Sequence, residues 1–196
     1  MADTSRTVSD LVTNLFQDSQ AAGSITPQDM RDFIETTQNK QGSMYISTAA
    51  STTISAQATN SPTVITNMVD VATAATWTLG TGVTANEFDM NTDGQLRYTG
   101  TPTINVYFSA ECSLEIDTAV VDKELCMAVT KNGAVIVGAK QLGFCPATTV
   151  NSVPLSTSGI VSMATNDYLS MFIGNIDSTD NITARMGQIT AFGLVT

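Results

Sequence analysis

ELCMAVTKNGAVIVGAK, Glu124–Lys140, is the stretch that decides how this chain folds. Asn132-Gly133 lies between two runs, Glu124 to Thr130 and Ala134 to Lys140, with the composition of strands. A tight two-residue turn of type I′ needs positive φ at both central positions. Asn-Gly adopts it at little steric cost, so the pair between two such runs is a hairpin signal. The same grammar extends in both directions. Upstream, Thr76 to Leu79 ends at Gly80, and Asn86 to Met90 and Gln95 to Thr99 flank Asn91-Thr92-Asp93-Gly94. Thr103 to Ile116 reads as a long bent strand or a strand pair, with Ile104, Val106 and Phe108 alternating. Downstream come Gly159 to Met163, Asp167 to Ile173, Ile182 to Met186 and Gln188 to Val195. Roughly ten short strands, frequent turns and no helical period after residue 40 predict a β-sandwich.

The chain has 196 residues, enough for one β domain and a modest extension. A domain of about 150 residues buries roughly 70% of its unfolded surface and needs no staples. Eighteen acidic residues stand against 8 basic ones, for a net charge of −10, with no histidine. Such a surface repels phosphate backbones and anionic lipid, so neither nucleic acid nor membrane is an expected partner. Charged residues are 13% of the chain, about half the usual share. Ser, Thr and Asn take their place, which suits large contact areas where charge would have to be desolvated. The opening MADTSRTVSD lacks an apolar h-region, and no apolar run nears the ~20 residues of a membrane span. A soluble protein without an export tag is expected.

Before the strands lies a helical preface. Val8, Leu11, Val12, Leu15 and Phe16 recur on one face across residues 7–22, and Gly23 ends the pattern. The second helix spans 26–38. Thr26 is its cap, Pro27 its first residue, Asp29 the partner that bonds back to the cap, and Ile25 with Met30 a hydrophobic staple. Met30, Phe33 and Ile34 form its apolar face. This hairpin is too small to stand alone. Its apolar faces must therefore pack on each other, on the sandwich, on sibling copies or on a foreign surface, and Leu11, Leu15, Phe16, Met30, Phe33 and Ile34 are the expected attachment residues. The expected layout is a helical anchor over 1–43, an extended linker over 44–61 and the sandwich over 62–196. Residues 39–60, rich in Ser, Thr and Ala, read equally as flexible linker and as extended chain lying on a neighbour.

Few residues suggest chemistry. Asp89, Asn91 and Asp93 stand at positions 1, 3 and 5 of a loop with Gly94 at position 6, the first half of a calcium loop. Position 12 is Gly100 instead of Glu, and the same residues make a good β-turn. No other cofactor is suggested. Asp177, Asp180 and Asn181 read as a solvated loop. Cys112, Cys126 and Cys145 lack metal-ligand spacing and read as buried free thiols, with a Cys112–Cys126 disulfide as the other arrangement. Without histidine there is no Ser-His or Cys-His nucleophile pair, so an enzyme is not expected. Trp77, Phe88, Tyr98 and Tyr107 are either core aromatics or platforms for sugar rings.

The order of features after residue 95 resembles a known family. Asn105-Val106-Tyr107-Phe108-Ser109-Ala110, Met127 to Gly133, Ser158 to Met163, Asn166 to Met171 and Thr190 to Val195 succeed one another as in the C1q and tumour-necrosis-factor-like jelly roll. Asn166 stands where that family often has Gly, and the collagen stalk of C1q proteins is absent. The resemblance implies a jelly-roll sandwich and a homotrimer packed through an aromatic and apolar seam. The opening is similar to those of bacteriophage virion proteins, at Arg6, Thr7, Asp10, Leu11, Ile25, Thr26, Gln28, Asp29, Arg31, Asp32 and Phe33. Together they imply a virion location and other virion proteins, of capsid or tail, as partners. The roles implied are a capsid decoration, cement or head-fibre protein or, alternatively, a tail-fibre or receptor-binding knob for host glycans.

Overall fold

The computed structural model of the chain describes residues 25–37, 40–48, 50–52, 69–70, 76–80, 87–91, 94–116, 122–146, 152–176 and 182–194. One helix, α1 (Pro27–Thr37), is followed by β1 (Gln41–Thr48), β2 (Ala50–Thr52), β3 (Val69–Asp70), β4 (Thr76–Leu79), β5 (Phe88–Met90) and β6 (Leu96–Tyr98). The long strands come next: β7 (Ile104–Ile116), β8 (Lys123–Lys131), β9 (Ala134–Cys145), β10 (Ser152–Met163), β11 (Tyr168–Asn175) and β12 (Ile182–Leu194).

The strands form two antiparallel sheets. The first runs β10-β7-β12-β1-β4, with β2 also on β12; the second runs β5-β6-β11-β8-β9, with β3 also on β11. Taking β1 and the strands from β6 to β12 as the eight principal ones, the layers are β10-β7-β12-β1 and β6-β11-β8-β9. That order is a jelly roll, two Greek keys folded face to face. The core lies between the layers. Val106, Phe108, Ala110, Cys112 and Leu114 point into it from β7, and Leu125, Met127 and Val129 from β8.

The preface is described only in part. The helix expected over 7–22 lies outside the described residues, as do Leu11, Leu15 and Phe16. α1 matches the helix expected over 26–38. The Thr26 amide and hydroxyl both donate to Asp29 Oδ2, at 2.8 and 2.7 Å, and the Asp29 amide approaches Thr26 Oγ1 at 3.2 Å. This reciprocal cap satisfies donors that the first turn cannot pair internally.

Within the stretch 44–61, residues 44–48 and 50–52 are strand in the first sheet. β1 pairs with β12 from Gln41↔Phe192 to Tyr45↔Gln188, and with β4 on its other side. Met44 is fully buried and Ile46 packs against the core. The sandwich therefore begins at Gln41 or earlier, because short alternation is enough once both neighbours supply backbone partners.

Candidate interaction surface

The inward face of the first sheet is spent on the core. Its outward face is set by strand alternation. Register places Ile160 of β10 beside Tyr107 of β7, Tyr107 beside Phe192 of β12, and Phe192 beside Gln41 of β1. Cross-strand neighbours stand about 5 Å apart, so three large apolar side chains form one continuous band. They are 63, 38 and 41% exposed. Next to the band runs a row of hydroxyls: Ser158, Ser109, Thr190 and Ser43. A charge-poor band of this kind, rimmed by small polar groups, is the usual character of a contact surface.

Further along the same face, a groove of about 740 Å³ opens among Tyr45, Glu111, Pro154, Met186 and Gln188. Its lining residues Met186, Gly187 and Gln188 lie where β12 has changed register, between Ala184 and Met186. Arg185, in that irregularity, pairs through Nε with Glu115 Oε2. Met186 is 67% exposed beside it.

At one end of the sandwich a single carboxylate ties two turns together. Asp167 accepts from Asn132 Nδ2 at 2.6 Å, the Ala164 amide at 2.8 Å and Lys131 Nζ at 2.8 Å. Asn132 Oδ1 in turn accepts from the Tyr168 amide. Burial alone would raise the Asp167 carboxyl. The hydrogen bonds from Lys131, Asn132 and Ala164, with the lysine charge, outweigh it and hold the carboxyl below its ordinary value. Asn132 and Gly133 take φ of 52 and 79°, the turn expected of Asn-Gly. Asn166 takes φ of 71°, which explains how Asn serves where Gly is common.

The remaining expected residues are placed as follows. Asp89 and Arg97 face each other across β5 and β6, with Arg97 Nε 2.9 Å from Oδ1 and Nη2 2.6 Å from Oδ2. Asn91 is in the connecting turn, where its amide meets the Gln95 carbonyl at 3.3 Å. Asp93 lies outside the described residues, so the three candidate calcium ligands are not seen together. No cluster of three or more acidic, Cys or His side chains suited to a metal occurs among the described residues. Asp177, Asp180 and Asn181 are also outside them. Trp77, Phe88 and Tyr98 are buried, and Tyr107 alone of the four weighed aromatics is exposed. The Tyr98 hydroxyl donates to the Pro102 carbonyl and contacts Glu87; burial, then the Glu87 charge, raises its pKa. No disulfide joins the three cysteines, and all are buried. Burial pushes Cys112 and Cys126 up to about 12.

Sequence reading found Tyr107 and missed Ile160, Phe192, Tyr45 and Met186. The available signal was alternation. Once Val106 and Phe108 are inward, Tyr107 is outward; its neighbours follow only from register.

No protein-family model and no curated protein matches the chain. Solved structures that match include Eiger TNF from S. frugiperda, with 11% identity, TM-score 0.47, and coverage of 80% of this chain and 92% of that one. Murine APRIL matches with 10% identity, TM-score 0.39, and coverage of 79% and 100%. The fold assignment rests on the strand order itself.

Proposed function

We propose that this is a non-enzymatic, homotrimeric structural protein of a bacteriophage virion, a capsid decoration, cement or head-fibre protein held by its N-terminal segment. The observation that carries the assembly is the Ile160–Tyr107–Phe192 band, three exposed large apolar residues in register on one sheet face. A sibling copy offers the same band and the same hydroxyl row, and within these two rows no charged side chain stands. The groove shares this face, which turns it toward sibling copies and away from a host glycan. That favours decoration over the receptor-binding reading. The virion location is supported by the resemblance of the opening residues. The non-enzymatic reading is supported by the absence of histidine and by thiols held protonated at neutral pH. In the anchoring role, Leu11, Leu15, Phe16, Met30, Phe33 and Ile34 supply the apolar contacts of the N-terminal segment.

Light scattering on the purified chain should give three times the 20.6 kDa protomer mass. Gold-labelled antibody on intact virions should decorate the head. A monomer overturns the trimer; label confined to the tail overturns decoration in favour of receptor binding.

A further inference from the structure

Asn132-Gly133 is the single Asn-Gly pair in the chain, and it carries a chemistry apart from its turn. A glycine nitrogen beside an asparagine is an unhindered nucleophile toward the side-chain carboxamide, because glycine has no Cβ. The surroundings are open as well. Both residues are exposed, and a Cβ added at Gly133 would meet nothing nearer than the Tyr168 hydroxyl at 3.8 Å. Water therefore reaches the pair.

Yet the asparagine is pinned at both ends of its carboxamide. Asn132 Nδ2 donates to Asp167 Oδ1 at 2.6 Å, and Asn132 Oδ1 accepts from the Tyr168 amide at 3.0 Å. The Asn132 amide donates in turn to the Tyr168 carbonyl at 3.0 Å. Attack on Cγ requires the carboxamide to swing onto the Gly133 nitrogen. That movement breaks both side-chain bonds, one of them to a charged acceptor.

We infer that Asn132 is a site of spontaneous deamidation held shut by Asp167 and Tyr168, so that its conversion follows the opening of this clamp. The chemistry needs only water. The Gly133 nitrogen gives up its proton and bonds to Asn132 Cγ. The Cγ–Nδ2 bond breaks, ammonia leaves with that proton, and a five-membered succinimide remains. Water then adds to one of the ring carbonyls and reopens the ring at its nitrogen. Opening at Cγ gives aspartate; opening at the backbone carbonyl gives isoaspartate, whose main chain runs through the former side chain. Either way an amide and a water become a carboxyl and an ammonia.

Neither product fits the clamp. Aspartate offers no donor and sets a second carboxylate against Asp167. Isoaspartate adds a backbone carbon to a tight turn. Each loosens the tie between the turns at Asn132 and Asn166, so a converted chain carries a lasting mark of having opened there.

The test follows the full chain in warm, mildly alkaline buffer by peptide mass mapping, which reads conversion at Asn132. The parent is compared with Asp167→Ala and Asp167→Asn, each checked for folding by circular dichroism. Asp89→Ala, which breaks the ion pair with Arg97 elsewhere on the sandwich, is the control. Asn132 is expected to convert far more slowly in the folded parent than in the same chain unfolded by urea. Asp167→Ala should convert about tenfold faster than the folded parent, the factor implied by losing one charge-assisted hydrogen bond. Asp167→Asn keeps a neutral acceptor and should fall between; it carries the same comparison should the Ala variant not fold. Asp89→Ala should keep the parent's rate. Equal rates in folded and unfolded parent, or Asp167 variants no faster than the control, overturn the inference.

Discussion

Asp167 is the residue on which two distant turns depend. Its carboxylate is separated by 35 residues from Asn132, yet both turns close around it. Replacing it by Ala removes several charge-assisted hydrogen bonds at once, for a cost of about 2 kcal/mol. Urea denaturation should show this as a lower midpoint with an unchanged slope. The native pKa is depressed, so the contribution is fully present above the unfolded carboxyl value near 3.9. It is lost as pH falls through the lower native value. The acid side of the stability profile of the Ala variant should therefore be flatter than that of the parent. The Asn132-Gly133 turn was legible in the sequence because its chemistry is local. The task of Asp167 was not, because nothing nearby in the chain announces a partner so far away.

Among the elements, β10 is the one whose sequence conceals its length. Gly159 to Met163 reads as a strand, but pairing with β7 starts at Ser152. The front half, Ser152-Val153-Pro154-Leu155-Ser156-Thr157, carries a proline and three hydroxyl residues. Such a stretch reads as loop, and it is tolerated here because β10 is an edge strand. β12 shows the opposite effect: two expected strands are one, Ile182–Leu194, with a register shift at Arg185. β8 is buried from Leu125 to Thr130 on both faces, which is why its run is nearly continuous instead of alternating. Gly159 has an element-scale reason that the sequence could not show. A Cβ there would stand 2.9 Å from Cζ of Phe108. Gly159→Ala is expected to destabilise the sandwich by about 1–3 kcal/mol through forced movement of that ring. Thermal denaturation measures it, and an unchanged melting temperature would show that the ring yields freely.

For the whole molecule, the informative contrast is between two sheets. The second sheet buries residues on both faces of β8 and β11, whereas the first leaves Ile160, Tyr107 and Phe192 outside. Sequence alone could place Tyr107 outward but could not join it to residues 53 and 85 positions further on. Substituting Tyr107→Asp together with Phe192→Asp adds a charge to each of two adjacent strands of the band. The variant is expected to keep its far-ultraviolet circular dichroism and to run as a monomer by light scattering. Retained trimers would move the contact to another face.

The three enclosed thiols give the molecule a built-in gauge. A reagent that alkylates thiols can reach them only while the structure is open, so its uptake counts openings. Cys112 lies between the two layers, where its Sγ meets Met127 Sδ at 3.2 Å, and Cys126 lies in a separate cluster with Ile176 and Leu142. Labelling of the first records the layers parting; labelling of the second records loosening on the far side of β8. Followed site by site under native conditions, the two rates would chart how this sandwich breathes without any denaturant being added.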